Sequence, residues 1–272
     1  MDLACQIAHN THIEVVALHV LDHTGLFDFS AGSTAYPLMG NPAGLEMDQQ
    51  FLESLYQTAE EKCTQFLKPF EKEGLKITKK IKIGSAFHYI TEEIDEEKVD
   101  LVIMGSKGVS GFEEVLIGSN TEKVVRHAKC PVLTVKTKIN IKDVKDIVFA
   151  TNFKEEDSHV AEELKKLQHV FKAKLHLVRV NTPTSFETNR NIMAHADDFI
   201  KENNISNYTI NIYSDKVEED GIIFFAQDIK ANLIALATHG RSGLLHLLSG
   251  SIAEDVVNHA IRPVWTFRLK HK

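Results

Sequence analysis

The chain of 272 residues has few of the features that mark secreted or membrane-spanning proteins. Its three cysteines, Cys5, Cys63 and Cys130, are far apart and odd in number, which excludes a disulfide framework and favours a reducing compartment. Apolar runs such as Ile222–Ala226 are far too short to cross a bilayer. The first residues carry neither a basic stretch nor an apolar core, so we expect no signal peptide and a cytoplasmic location.

The chain also lacks an excess of positive charge and the motifs of common enzymes. With 31 Lys and Arg against 38 Asp and Glu, the net charge is −7, which argues against nucleic acid as a main partner. It contains no Gly-x-Ser-x-Gly elbow and no P-loop, and its 14 histidines show no metal-ligand spacing. The carboxylate run Glu92–Glu97 fits a solvated helix face. We therefore predict neither catalytic residues nor a metal site.

One segment of the chain occurs twice, 132 residues apart. Residues 101–135 and 233–267 are identical at 15 of 35 positions without a gap. The shared residues include Gly108/Gly240, Ser110/Ser242, Gly111/Gly243, Gly118/Gly250 and Ser119/Ser251. A period of 132 residues is the size of a small domain and is far too long for a solenoid repeat. We therefore predict two tandem domains, residues 1–138 and 139–272, with a polar linker at Lys136–Asp143.

The second half of the chain alternates short apolar runs with amphipathic stretches. Strands are predicted over Lys145–Thr151, Leu175–Val180, Tyr208–Tyr213, Ala231–Ala237 and Pro263–Phe267. A helical pattern separates each strand from the next. Strands that alternate with helices form βαβ units and a parallel sheet. Five strands and four helices predict one doubly wound α/β domain.

The first half has the same order with two departures. Ile13–Val20 aligns with the second strand of the other copy at an offset of 160, so 160 − 132 = 28 extra residues follow it. They lie in Asp22–Glu46, which we expect to be a long loop. Residues 1–10 match the end of the first helix, so the first, central strand is missing from the sequence given. Because unpaired buried strand edges are costly, either upstream sequence or another segment must supply it.

The repeated Gly-rich segment lies between a buried strand and a helix. In the first copy the strand Val99–Met104 runs into Gly105, and a helix is predicted to start at Gly118. Glycines allow a ligand to approach the backbone, and free amides at a helix start favour an anion. A phosphate-bearing ligand is one interpretation of this pattern.

A structural interpretation is also open. Ser119 with Glu122, and Ser251 with Glu254, have the spacing of capping boxes, which stabilise a helix start without any ligand. From the chemistry of these residues alone, the two interpretations stand side by side.

These residues resemble the universal stress protein family, whose signature is G-x2-G-x9-G-[S/T]. The first copy matches every fixed position, namely Gly105, Gly108, Gly118 and Ser119. The second copy matches three of them, namely Gly240, Gly250 and Ser251, and has Ala237 at the fourth. The resemblance implies two tandem doubly wound domains, each with a parallel sheet of order 3-2-1-4-5. It also implies intramolecular pairing of the two halves through their last strands, Val132–Val135 and Val264–Phe267, and leaves room for a homodimer.

The resemblance further implies a site for an adenine nucleotide, ATP or AMP, with Mg²⁺ accompanying ATP. In the first copy the residues implied are Val20, Met104, Gly105, Gly108, Gly118, Ser119 and Asn120. In the second copy they are Asn152, Val180, Gly240, Gly250 and Ser251. Asn152 stands where family members commonly have an Asp that contacts the nucleotide, and it cannot carry that charge. With Ala237 this makes the second site degenerate, so we expect nucleotide in at most one domain, the first.

The function expected from the resemblance is that of a cytosolic tandem universal stress protein with a sensing or protective role. Dedicated catalysis is not expected. One alternative is a nucleotide-free structural or interaction module that pairs through its sheet edges. A slow ATPase ranks third, because the sequence supplies no obvious base to activate water.

Overall fold

A computed structural model of the protein describes residues 1–21, 42–71, 74–105, 117–153, 158–239 and 251–269. For residues 42–49, 158, 159, 239 and 251 it describes the backbone alone. The chain divides into two compact units, Met1–Glu96 and Glu97–Lys272. This division falls elsewhere than the boundary at residues 138 and 139 between the sequence repeats, which stays a prediction.

The first unit contains a parallel strand pair with helices before, between and after the strands. Its elements are α1 (Asp2–Thr11), β1 (Val15–Leu21), α2 (Pro42–Glu71), β2 (Ile77–Ile83) and α3 (Ala86–Glu96). β1 and β2 pair in parallel, from Val15 opposite Ile77 to Leu21 opposite Ile83. Helix α1 confirms that the chain opens with a helix ahead of the strand that the repeat alignment calls second.

Helix α2 corrects part of the predicted loop. Residues 22–41 of that segment lie outside the described residues, but α2 begins at Pro42, so the prediction of a loop is wrong for residues 42–46. Proline suits the first helical position because its fixed φ is already helical and its missing N–H has no partner there anyway. Although α2 has 30 residues, no helix in the described part of the chain is long and apolar enough to cross a membrane.

The second unit is built on a sheet of seven strands. In chain order they are β3 (Val102–Gly105), β4 (Val132–Val135), β5 (Asp146–Ala150), β6 (Lys174–Asn181), β7 (Tyr208–Ser214), β8 (Leu233–His239) and β9 (Val264–Leu269). Their order across the sheet is β3-β4-β9-β8-β5-β6-β7. The helices of this unit are α4 (Ser119–His127), α5 (Ser158–Phe171), α6 (Asn189–Asn203), α7 (Glu218–Asp228) and α8 (Ser251–His259), with a 3₁₀ turn at Ile141–Asp143.

The second repeat confirms the predicted α/β fold and strand order. Its strands lie in the order β7-β6-β5-β8-β9, which is 3-2-1-4-5 in the numbering of the repeat. Central strand β5 pairs in parallel with β6 on one edge and with β8 on the other. Its residues Ile147, Val148 and Phe149 are fully buried. A parallel strand covered on both faces needs an unbroken apolar run, which is why the sequence pattern located it.

The strands of the first repeat are divided between two sheets. β1 and β2 form one pair, whereas β3 and β4 belong to the seven-stranded sheet. β4 pairs antiparallel with β9, with Leu133 opposite Trp265, so the predicted pairing of the last strands is observed within one chain. Among the described residues, no strand pairs with the second edge of β1 or of β3. These are the two edges that a central strand covers in the second repeat.

Candidate functional site

The first Gly-rich segment begins at Gly105, the last residue of strand β3, and ends at the start of helix α4. The hydroxyl of Thr121, in the first turn of α4, donates to the carbonyl oxygen of Gly105 at 3.0 Å. Thr121 is buried, with 4% of its surface exposed, so this bond is shielded from water. The two ends of the segment are therefore held together, although Gly108 and the rest of residues 106–116 lie outside the described residues.

The start of α4 presents backbone amides without an intrahelical acceptor. Gly118 is the N-cap, and no side chain caps the helix. The first bond of the helix runs from the Glu122 amide to the Gly118 oxygen at 3.0 Å. The amides of Ser119, Asn120 and Thr121 consequently have no partner among the described residues. Together with the helix dipole, such amides form a ready site for an anion.

The predicted capping box at Ser119 and Glu122 is wrong. The carboxylate of Glu122 contacts the Arg126 guanidinium at 3.2 Å instead of returning to the helix start. Glu254, the matching residue of the second repeat, also binds Arg126, with Oε1 2.7 Å from Nε and Oε2 2.6 Å from Nη2. A carboxylate gains more from a guanidinium than from a neutral amide. The hydrogen bonding that Arg126 donates to Glu254 is the main cause that raises the pKa of Arg126.

A second residue from the other repeat fixes the end of the segment. The backbone N–H of Ile117 donates to Oδ1 of Asn258, on α8, at 2.9 Å. Lys136 Nζ donates to the backbone oxygen of Asn258 at 2.5 Å. Sequence reasoning missed Asn258, Arg126 and Thr121, because they lie outside the Gly-rich motif and their partners are distant in sequence or depend on how the helix packs. Thr121 aligns with Ala253, and Arg126 aligns with Asn258.

The remaining residues predicted for the first site are distributed as follows. Met104 lies in β3, half-buried and opposite Thr134, and Asn120 is half-buried in the first turn of α4. Val20 lies in β1, opposite Lys82, in the other compact unit. The structure therefore joins Gly105 to the helix start that contains Ser119 and Asn120. The nucleotide-binding role of every one of these residues stays a prediction.

In the second repeat, the side chain of Asn152 is already bound by a positively charged side chain of the same protein. This residue follows β5 and is exposed, and its Oδ1 accepts a hydrogen bond from Nη1 of Arg179 on β6. Nη2 of Arg179 donates to the Ser185 oxygen at 3.2 Å, and Nε has no partner among the described residues. Arg179 is 8% exposed, whereas the aligned residue of the first repeat, His19, is exposed. No sequence motif predicts this contact.

Val180, also predicted for the second site, is covered by the protein. It is 2% exposed, and helix α7 crosses it at Gly221, where an added Cβ would stand 2.6 Å from Val180 Cγ1. Gly240 and Gly250 lie outside the described residues, and Ser251 is the first residue of α8. An open depression of about 500 Å³ lies at the ends of β6 and β7, lined by Asn181, Thr182, Pro183, Phe186, Ser214, Asp215 and Lys216. Within the described ranges, no group of three His, Cys, Asp or Glu side chains has a metal-binding arrangement.

Comparison with known proteins agrees with this geometry. The profile of the universal stress protein family matches the chain twice, over residues 1–136 and 143–268. The chain belongs to the universal stress protein family. It is 32% identical over 126 residues to universal stress protein MJ0577 of Methanocaldococcus jannaschii, covering 46% of this chain and 78% of that protein. It is 33% identical over 134 residues to universal stress protein MJ0531 of the same organism, covering 49% of this chain and 71% of that protein.

Solved structures share the fold of this universal stress protein over nearly its whole length. A universal stress protein from Archaeoglobus fulgidus superposes with a TM-score of 0.71 at 18% identity, covering 97% of this chain and 89% of that chain. A putative universal stress protein from Pseudomonas aeruginosa superposes with a TM-score of 0.62 at 19% identity, covering 98% and 95%. At such identities the likeness establishes the fold.

Proposed function

We propose that the first repeat of this universal stress protein binds one adenine nucleotide, ATP or AMP, with Mg²⁺ accompanying ATP, in a stress-response role. The bond from Thr121 to Gly105 carries the proposal, because it sets the strand end beside a helix start whose first amides have no partner among the described residues. Gly118 has an extended backbone at φ −63° and ψ 145°, and a glycine has no side chain to hinder a ligand that approaches its backbone.

The second repeat is proposed to bind no nucleotide. Its Asn152 is engaged by the buried Arg179, and Ala237 stands where the first repeat has Gly105. Ala253 replaces Thr121, so the second helix start cannot make the same side-chain bond to the end of its strand. One nucleotide per chain follows from this asymmetry.

Nucleotide carried through native purification tests the proposal. Mass spectrometry of the denatured protein should detect ATP or AMP near one per chain in the wild type. Gly118→Val should abolish this, since valine accepts the extended backbone of Gly118 but places two methyl groups where the phosphate would lie. The matched control, Gly250→Val in the second repeat, should retain the nucleotide.

Three outcomes would contradict the proposal. Absence of nucleotide, together with no thermal shift on adding ATP with Mg²⁺ or AMP, would remove the nucleotide function altogether. Two nucleotides per chain would contradict the asymmetry. Loss in Gly250→Val but not in Gly118→Val would reverse the assignment of the site.

The second candidate function is a nucleotide-free module that acts through sheet edges. The pairing of β4 with β9 favours it, because this pairing uses the last strand of each repeat for assembly rather than for a ligand. The same mass spectrometry separates the two candidates. A slow ATPase ranks third, and turnover present in the wild type and lost in Gly118→Val would support it.

We further propose that the protein is cytoplasmic and that its repeats divide at residues 138 and 139. The cytoplasm suits three cysteines that form no disulfide, two of them buried. Light scattering of the purified protein decides between a monomer and a homodimer.

A further inference from the structure

We propose that Asn258, in the second repeat, positions the nucleotide site of the first repeat and sets its affinity. The side-chain oxygen of Asn258 accepts a hydrogen bond from the backbone N–H of Ile117, which directly precedes the helix start at Gly118. Asn258 is a positioning residue, because it acts through Ile117 rather than through the nucleotide. The inference rests on the proposed nucleotide site in the first repeat. It gives the second repeat a role although no nucleotide is proposed to bind there.

The hydrogen bond to Ile117 lies where it can orient the start of α4. Asn258 Oδ1 lies 2.9 Å from the Ile117 nitrogen, an ordinary hydrogen-bond distance. Ile117 is 9% exposed, so removing the acceptor would leave its N–H poorly hydrated. Gly118 follows as the N-cap, and after it come the amides of Ser119 and Asn120, which have no partner among the described residues. Because each peptide unit is rigid, a shift of Ile117 would also turn these amides.

Asn258 is itself held against the first repeat. Its backbone oxygen accepts a hydrogen bond from Lys136 Nζ at 2.5 Å. In the first turn of the same helix, Glu254 binds the guanidinium of Arg126, which lies in the last turn of α4. The end of α8 thus meets the start of α4, and the start of α8 meets the end of α4. The acceptor is therefore presented to Ile117 by a helix that several contacts fasten to the first repeat.

The two repeats cannot exchange this bond symmetrically. At the offset of 132, Asn258 aligns with Arg126, and Ile117 aligns with Ser249. A guanidinium has no acceptor atom, so Arg126 cannot accept a hydrogen bond from a backbone N–H as Asn258 does. Arg126 donates to Glu254 instead. The contact between the repeats therefore supports the helix start of the first repeat alone in this way, which agrees with one nucleotide per chain.

Calorimetric titration of the intact chain with ATP and Mg²⁺, and separately with AMP, tests the inference. Asn258→Ala should weaken binding about threefold to tenfold, because the hydrogen bond that fixes the helix start is lost. Asn232→Ala is the matched control, since Asn232 Oδ1 also accepts from backbone N–H groups, those of Lys145 at 2.9 Å and Asp146 at 3.0 Å. Asn232 directly precedes β8, at the amino end of that strand. Its loss should lower stability and leave nucleotide affinity unchanged.

A conservative variant separates positioning from a general loss of stability. Asn258→Asp keeps an oxygen that accepts from the Ile117 amide. At about 1 M salt, which screens the added charge, it should bind nucleotide more tightly than Asn258→Ala does. In the unaltered protein, bound nucleotide should slow hydrogen exchange of the Ile117 amide, because coupling between two sites is reciprocal.

The outcomes distinguish this inference from the nucleotide proposal on which it rests. A wild type that binds neither ATP nor AMP would remove the proposed site and the inference together. If the wild type binds nucleotide, equal affinity in Asn258→Ala would overturn the inference alone. The same holds for equal weakening in Asn232→Ala, for Asn258→Asp binding no better than Asn258→Ala, and for exchange at Ile117 that nucleotide does not slow.

Discussion

The two repeats of this universal stress protein carry similar sequences around different sheets. In the second, β5 joins β6 to β8, and its apolar residues are fully buried. In the first, β1 and β3 lie in separate sheets, and the side chains of β3 are half-buried. A repeated signature therefore preserves a strand without preserving its environment, since burial of the strand depends on the neighbour that pairs with it.

The strand ends that carry the proposed sites differ between the repeats in the opposite sense. The first repeat ties its helix start to its strand through Thr121, and the second has Ala253 there. In the second repeat the guanidinium of Arg179 donates a hydrogen bond to Asn152. The first repeat has the exposed His19 at the position that aligns with Arg179. The repeat with the less complete sheet is therefore the one whose helix start is tied to its strand by a side-chain hydrogen bond.

Truncation of an apolar residue in each repeat tests the contrast in burial. Phe149→Ala in β5 should lower the free energy of unfolding by about 3–5 kcal/mol, because the cavity forms in a fully buried strand. Ile103→Ala in β3 should cost about 1 kcal/mol, since its environment can relax and solvent already reaches it. Urea unfolding followed by fluorescence of Trp265, the single tryptophan, measures both. Equal costs would show that β3 is as fully covered as β5.

Alkaline pH tests a second difference between the repeats. Burial raises the pKa of the Cys130 thiol to about 11, whereas the second repeat has Arg262 at this position. The unfolded thiol ionises near pH 9 while the folded one stays neutral, so stability is full below pH 9 and is lost as the pH rises to 11. The loss is on the order of 2 kcal/mol.

The slope of stability against pH should therefore be shallower in Cys130→Ala than in the wild type between these limits. An equal slope in the two proteins would contradict the raised pKa of Cys130.

Replacing Asn152 by the aspartate that family members commonly have at this position tests the interaction with Arg179 in the second repeat. Asn152→Asp should stabilise the protein by about 1 kcal/mol at pH 7, because the buried guanidinium of Arg179 gains an ionised partner. The guanidinium should lower the pKa of the new carboxyl, so the gain is present above the ordinary pKa of Asp and is lost as the pH falls through the lowered value. Urea unfolding at pH 7 and pH 3 measures the change. In an Arg179→Met background the gain should disappear, and its persistence there would show that Arg179 is not the partner.

The two glutamates on Arg126 provide the smallest and most closely matched comparison. Glu254→Gln should cost about 1 kcal/mol, since its two bonds to Arg126 are short and its side chain is 17% exposed. Glu122→Gln should cost about 0.3 kcal/mol, because its single contact is longer and its side chain is 43% exposed. Chemical unfolding of each variant at low and high salt measures these costs. A larger cost for Glu122 would reverse the assignment of the dominant partner.

Patterns within one segment predicted the elements of the second repeat well. Its five strands and four helices were found because buried parallel strands are continuous apolar runs and the helices between them are amphipathic. The capping-box prediction failed because spacing alone cannot show that Arg126 competes for Glu122. The loop predicted through Glu46 failed because proline and glycine occur both in loops and at helix starts, and α2 begins at Pro42.

The residues of the candidate site likewise fall into those that a sequence motif predicted and those that only the structure revealed. Gly105, Gly118 and Ser119 came from a motif whose members are close in sequence. That motif could not predict Thr121 or Asn258. Thr121 acts through a hydrogen bond to the end of the strand, and Asn258 binds Ile117 although it is 141 residues away in sequence. Such partners depend on how helices pack on the sheet.

By itself the sequence determined the duplication, the α/β class, the family and the absence of a glycine at Ala237, because each of these is a local pattern of residue types. The folded structure was needed to show that β3 pairs with β4 and with no other strand of the described residues, that Arg179 donates to Asn152, and that Arg126 binds Glu254 of the other repeat. These features depend on which side chains and strand edges meet after folding, and residues 27 to 128 positions apart have no local signal of that meeting.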